Sequence, residues 1–190
     1  MPSSTFNNLT KEKKIKIMHA ATKEFSTYTL MDASINRIIK EAGISRGSFY
    51  LYFKNIYEIY DYVLDVYIEK METVFLEYLE INNGNLFLSI VDIFDYIIET
   101  GSKRANKDLC VNIFKNITMK NVIDFMDKNE EFIKKVLDRI KQIENKSALL
   151  QMLYMELILA VTKVLVKNKN KDKVKEELLF TLERINQGFK

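Results

Sequence analysis

Apolar residues recur along the chain at steps of three and four with charged residues between them, and the strict alternation that a strand requires is scarce. The pattern predicts an all-α protein. A first helix is expected from about Thr10 to Phe25, with Ile15, Met18, Ala21 and Phe25 as its apolar stripe. Ser34 is a suitable N-cap for INRIIKEA, whose Ile35, Ile38, Ile39 and Ala42 face inward before the helix stops at Gly43. A long helix should follow from Ile56 to Leu79, carrying Ile56, Tyr60, Val63, Tyr67, Met71, Val74 and Tyr78 on one side. NNGN (82–85) and TGSK (100–103) read as breaks, with Gly84 and Gly101 suited to left-handed caps. Further amphipathic segments are expected near 86–99, 107–117 and 122–144, the last broken near Asn129.

The stretch ALLQMLYMELILAVTKVLV (148–166) is apolar on nearly every side. In a bilayer Glu156 and Lys163 would each cost about 2.5–3.5 kcal/mol near the centre, so a helix enclosed by protein is expected, with no membrane contact. After the polar turn KNKNKDK, residues Val174, Leu178, Leu179, Leu182 and Ile185 predict a last amphipathic helix. These two carboxy-terminal helices carry more apolar surface than one chain can cover. A C2 homodimer through both of them is the expected solution.

The stretch EAGISRGSFYLYF (41–53) concentrates two of the five glycines. Gly43 can take a positive φ and stop one helix, and Ser45 can cap the next, which gives helix, tight turn, helix. At about 100° per residue, Phe49 and Phe53 share a face that can pack on Ile38, Ile39 and Ile44. Gly47 and Leu51 then lie opposite, flanked by Ser48 and Tyr50. No acidic side chain interrupts 43–53, so this outer face and the positive helix start can approach an anion closely. The serine and tyrosine hydroxyls, Arg46 and Lys54 are suited to phosphate, and Leu51 to a thymine methyl in the major groove.

Charge supports that reading once it is divided along the chain. Residues 1–56 hold nine Lys/Arg against four Asp/Glu, a net +5, which leaves −2 for the rest of a chain whose total is +3. Enzyme chemistry finds little to work with. His19 is the single histidine and Cys110 the single cysteine, so neither a two-histidine zinc site nor an internal disulfide can form. There is no P-loop and no dinucleotide-binding glycine motif. No catalytic residue, metal or cofactor is expected. With no charged-then-apolar leader at 1–10, a cytoplasmic location is expected.

Over residues 13–64 the combination of AATKEF, SINRIIKEAGISRGSFYLYFKN and the start of the long helix resembles the amino-terminal domain of the tetracycline-repressor (TetR) family. The resemblance implies a three-helix DNA-binding domain, here 1–55. It also implies an all-helical effector-binding and dimerisation domain, here 56–190, and repression that a small molecule relieves; docking as helix-turn-helix dimers do would place two recognition helices on a pseudo-palindromic operator. Carried over by position, Ser34 and Arg37 fall near the DNA backbone. Ser45, Arg46, Gly47, Ser48, Tyr50 and Tyr52 fall on the recognition helix and its approach, and Lys54 at a phosphate contact. The helical projection sets Tyr52 nearer the buried side. Three positions depart from the family: Ile56 for a lysine, Ile39 for a small residue, and STYTL for a link with glycine.

A largely apolar effector would suit a pocket lined by Tyr67, Met71, Phe94, Phe114, Phe125 and Met155. Glu156, a carboxylate within an apolar helix, needs a partner, either a cationic ligand, a lysine or a partner subunit's hydroxyl. The competing reading is a helical protein–protein adaptor that no longer binds DNA.

Overall fold

The computed structural model describes residues 2–103, 107–117, 125, 129–140 and 145–188, and among these no strand occurs. The helices are α1 (Ser4–Asn7), α2 (Lys11–Thr27), α3 (Ile35–Ala42), α4 (Arg46–Tyr52), α5 (Ile56–Ile81), α6 (Leu86–Ser102), α7 (Lys107–Asn116), α8 (Glu130–Arg139), α9 (Lys146–Leu165) and α10 (Lys171–Gly188). The all-α expectation holds. Of the segment expected at 122–144, residues 122–124, 126–128 and 141–144 lie outside the described residues.

Thr10 caps α2 through its hydroxyl, which accepts the Lys13 N–H at 3.4 Å. The buried face of α2 runs through Ile17, Ala20, Ala21, Glu24 and Phe25, a spacing of i, i+3, i+4, i+7, i+8. Ile15, expected on the stripe, sits about 200° around the helix from Ile17 and is exposed. Helix α3 has the expected bounds, and Gly43 ends it in the left-handed region at φ 65°. Ser45 then caps α4 by accepting the Ser48 N–H at 3.0 Å. Phe49 and Phe53 are fully buried, so α4 packs inward through the face its sequence marks out.

The long α5 connects this amino-terminal unit to the rest. Asn55 caps it by accepting the Glu58 N–H at 3.0 Å, and the Glu58 carboxylate accepts the Lys54 N–H in return. Gly84, at φ 76°, closes its far end by donating to the Leu79 carbonyl at 2.8 Å. Gly101 behaves differently from expectation: it lies within α6, buried, and caps nothing. A Cβ there would come within 3.2 Å of Leu165 and 3.3 Å of Cys110, so this glycine lets α6, α7 and α9 pack closely.

Helix α9 packs on α6, α7 and α10, α6 packs also on α7 and α10, and α5 lies against α6 and α8. By length and composition α9 could cross a membrane. Here its Leu149, Leu153, Leu157, Ala160 and Val161 are buried in the bundle. Its enclosure is one-sided, however, because Met152 and Leu159 remain exposed. Leu179 and Phe180 of α10 are also exposed, although Leu179 was expected in the core stripe, and Val174, Leu178 and Leu182 form the buried side instead. Lys171 and Lys175 of α10 bridge to Asp95 of α6 at 2.9 and 2.5 Å. Burial alone would raise the Asp95 carboxyl, but those two hydrogen bonds hold it below its usual range.

Candidate nucleic-acid interface and ligand cavity

The outer face of α4 is assembled as its sequence predicts. Ser45, Arg46, Gly47, Tyr50 and Leu51 are exposed and Ser48 is half-buried, with the Ser45 and Ser48 hydroxyls 2.9 Å apart. Arg46 donates to Asn36 of α3 at 2.8 Å and to the Tyr50 hydroxyl at 3.3 Å, which ties the guanidinium across the turn. Gly47 has open space around it: a Cβ would meet nothing nearer than the Ser45 hydroxyl at 3.9 Å. No packing inside the protein calls for a glycine there. Lys54 is exposed just beyond the helix.

Tyr52 requires correction. It is buried, its ring edge-on to Phe6 with centroids 6.0 Å apart and the Lys13 ammonium 6.0 Å from the ring centre. Two residues beyond Tyr50 on a helix, it is carried about 200° to the inner side. Helix α1, whose four residues are too few to show a periodic pattern, causes this burial. Its Phe6 packs against Tyr52, Phe53 and Tyr62. Ser3 donates its N–H to the Tyr52 carbonyl at 3.0 Å and its hydroxyl to the Leu51 carbonyl at 2.6 Å. The amino-terminal arm thereby satisfies carbonyls that the end of α4 would otherwise leave unpaired. One apolar residue in the polar run PSSTFNN was the available signal.

Ser34 and Arg37 are held by Glu24. Ser34 occupies the N-cap position of α3, but its side chain makes no capping bond; its N–H donates to the Glu24 carboxylate at 2.7 Å. Arg37 donates Nε and Nη2 to the same carboxylate at 2.9 and 2.6 Å, and Nη2 also to the Asp32 carbonyl. Its guanidinium lies 3.8 Å from the Tyr28 ring centre. Arg37 therefore braces α3 against α2, and phosphate contact is not its main geometry here. A carboxylate at the inward position 24 of the α2 pattern was the sequence signal for this clamp.

A second feature is a cavity of about 190 Å³ between α5, α6, α7, α8 and α9. Tyr67, Met71, Phe114 and Phe125 line it as expected; Phe94, Met155 and Glu156 do not. Phe94 is fully buried in solid core. Met155 and Glu156 fall on the outward side of α9 with Met152 and Leu159, because the cavity takes the opposite side through Leu150, Tyr154 and Leu157. Among the described lining residues the charged one is Glu72 of α5, which in sequence looks like one more solvated charge of that helix. Phe125 stacks on Tyr154 with centroids 4.6 Å apart, and burial pushes the Tyr154 hydroxyl up to about 12. The thiol of Cys110 lies 3.7 Å from the Tyr67 hydroxyl, and burial raises both groups.

The cavity wall reaches the amino-terminal unit directly. On α7, Asn112 donates its side-chain amide to the Phe25 and Ser26 carbonyls at 2.9 and 3.1 Å, near the end of α2, while its neighbours Ile113 and Phe114 line the cavity.

Residues 17–63 match the bacterial regulatory proteins of the tetR family. Over 126 residues the chain is 25% identical to an uncharacterized HTH-type transcriptional regulator of Bacillus subtilis, YdgC; the match spans 56% of this chain and 64% of that relative's length. Among solved structures, a protein described as a TetR-family transcriptional regulator from Syntrophomonas wolfei superposes with a TM-score of 0.68 at 18% identity, over 91% of this chain and 94% of that one. A TetR regulator from a Rhodococcus species gives 0.59 at 12% identity, over 94% and 97%. At these identities the likeness is one of fold.

Proposed function

We propose that the chain, whose residues 17–63 match the tetR family of bacterial regulatory proteins, works as a homodimeric, operator-binding repressor released by a small molecule. The observation that carries this reading is the α4 face. Ser45, Gly47, Tyr50 and Leu51 stand outward with no acidic neighbour on the helix, and Gly47 has no internal reason to lack a side chain. Each copy would lay α4 in a major groove, with Ser48, Arg46 and Lys54 toward phosphates and Tyr50 and Leu51 toward base edges. Two such heads about 34–36 Å apart would read a pseudo-palindrome. Residues 1–55 form the DNA-binding unit in this reading, and 56–190 the effector and dimerisation unit.

The dimer would form through α9 and α10, whose Met152, Leu159, Leu179 and Phe180 are exposed. The cavity would hold the effector, and a ligand that fits one arrangement of the bundle better than another would shift the heads by that difference in affinity alone. The protein would act in the cytoplasm, on DNA, without catalysing a reaction.

The test is selection of bound duplexes from a random pool by the full chain, followed by titration at increasing salt. A two-fold symmetric motif is expected, with affinity falling as salt rises because each neutralised phosphate releases counterions. Enrichment of no motif, together with salt-independent binding, would leave the adaptor reading in its place.

A further inference from the structure

On α5 the residues facing the cavity are Tyr60 and, at i, i+3, i+4, i+7, i+8 and i+11 from the next turn on, Leu64, Tyr67, Ile68, Met71, Glu72 and Phe75. Every position of that stripe is apolar or aromatic except the carboxylate. Its Oε1 is buried and has no hydrogen-bond partner among the described residues. A buried acceptor left without a donor is costly, and a carboxylate more so than a neutral group. Yet the cavity supplies no counter-charge: among the described lining residues there is no Lys, Arg or His. The cation whose charge acts on Glu72 among the described residues is Lys135, which is exposed and paired with Glu131 at 2.7 Å. Burial, with Glu69 adding to it, pushes the Glu72 carboxyl up from its ordinary range.

We infer that the cavity is built for an organic cation, whose positive charge sits on Glu72 and whose apolar body sits among Tyr154, Phe75, Phe125 and Phe132. This rests on the reading of the cavity as an effector site and names the class of effector. Three ligand charges can be compared. An anion would meet the carboxylate with nothing to offset it. A neutral hydrocarbon would fill the apolar walls and leave Oε1 unpaired. A cation sets its charge against the carboxylate, which neither of the others does, and also meets the negative faces of the surrounding rings. Tyr154 stacks on Phe125, and Phe132 stands edge-on to both Phe75 and Phe125 with centroids 6.2 Å apart, so the aromatic wall is continuous beside the charge. Size narrows the class further. A cavity of about 150 Å³ is enough for benzene, so 190 Å³ suits an ammonium bearing one ring.

The experiment uses the full-length chain and two probes of equal shape, phenyltrimethylammonium and its uncharged carbon isostere tert-butylbenzene, titrated calorimetrically against wild type and Glu72→Gln. Wild type should bind the cation at least tenfold more tightly than the isostere. Glu72→Gln should lose at least tenfold for the cation and keep or improve its affinity for the isostere, which also proves that the variant folds with its cavity intact. If the isostere binds wild type as well as the cation does, or if Glu72→Gln leaves cation binding unchanged, the inference is wrong while the cavity reading survives. If neither probe binds either protein, the cavity reading falls with it.

Discussion

At the scale of single residues, Gly47 makes the sharpest statement about an absent partner. A helical glycine costs roughly 0.5–1 kcal/mol relative to alanine, and nothing inside this protein approaches close enough to justify that cost. Gly47→Ala should raise the melting temperature by a few degrees at most and, in a gel-shift titration on the selected operator, weaken binding about tenfold. A variant that is more stable and binds equally well would show that no surface comes close to position 47. Glu72 shows how side-chain roles hide in a sequence. Glu156 stands out because its helix is apolar on nearly every side, whereas Glu72 lies in a helix with charged residues on its outer faces and looks like one of them. Which side of α5 faces a cavity depends on where α8 and α9 settle, and a single-helix projection does not contain that. Tyr52 was legible in principle, since the projection already turned it inward; the resemblance pulled the other way.

At the scale of elements, local chemistry fixes the boundaries well wherever a cap decides them. Thr10, Ser45, Asn55 and Asn85 each accept a backbone N–H at a helix start, and Gly43 and Gly84 each end a helix with positive φ. Gly101 looked the same in sequence but serves a crossing of three helices, a tertiary demand that no local pattern reports. Helix α1 was missed for a related reason: at four residues it shows no periodicity, and it holds only because Phe6 finds Tyr52, Phe53 and Tyr62. Under the proposed release by a ligand, helix α7 would be the link. Its Asn112 grips two carbonyls near the end of α2 while adjacent residues line the cavity, so a shift of α7 pulls on the helix that carries α3. Each of those hydrogen bonds is worth about 0.5–1.5 kcal/mol, comparable with a typical coupling energy of about 1–3 kcal/mol. Asn112→Ala should therefore leave affinity for DNA within about threefold, yet cut the factor by which saturating phenyltrimethylammonium weakens operator binding by fivefold or more. Equal factors in wild type and variant would place the coupling elsewhere.

At the scale of the whole molecule, the outward sides of α9 and α10 are where the proposed dimer would form. Met152, Leu159, Leu179 and Phe180 are exposed in one chain, and Met155 and Glu156 lie half-buried beside them. Lys163 of α9 already pairs with Glu177 of α10 at 2.9 Å, which fixes the two helices as one surface. Covering it with a second copy removes apolar area that water otherwise meets at a cost of about 25 cal/mol per Å², and a stable interface of this kind buries upward of about 1,000 Å² in total. An aspartate at each of two central positions should prevent that while leaving the chain folded, because both side chains point away from its own core. Leu159→Asp combined with Phe180→Asp is expected to halve the mass measured by light scattering, with the helical circular dichroism unchanged. Binding to the selected operator should then fall about 100-fold or more, since each head loses the high effective concentration its tethered twin provides. A single half-site, which one head reads alone, should be bound with the same affinity by both forms. A variant that remains dimeric would move the interface off α9 and α10, and one that turns monomeric yet binds the full operator undiminished would separate dimerisation from DNA recognition altogether.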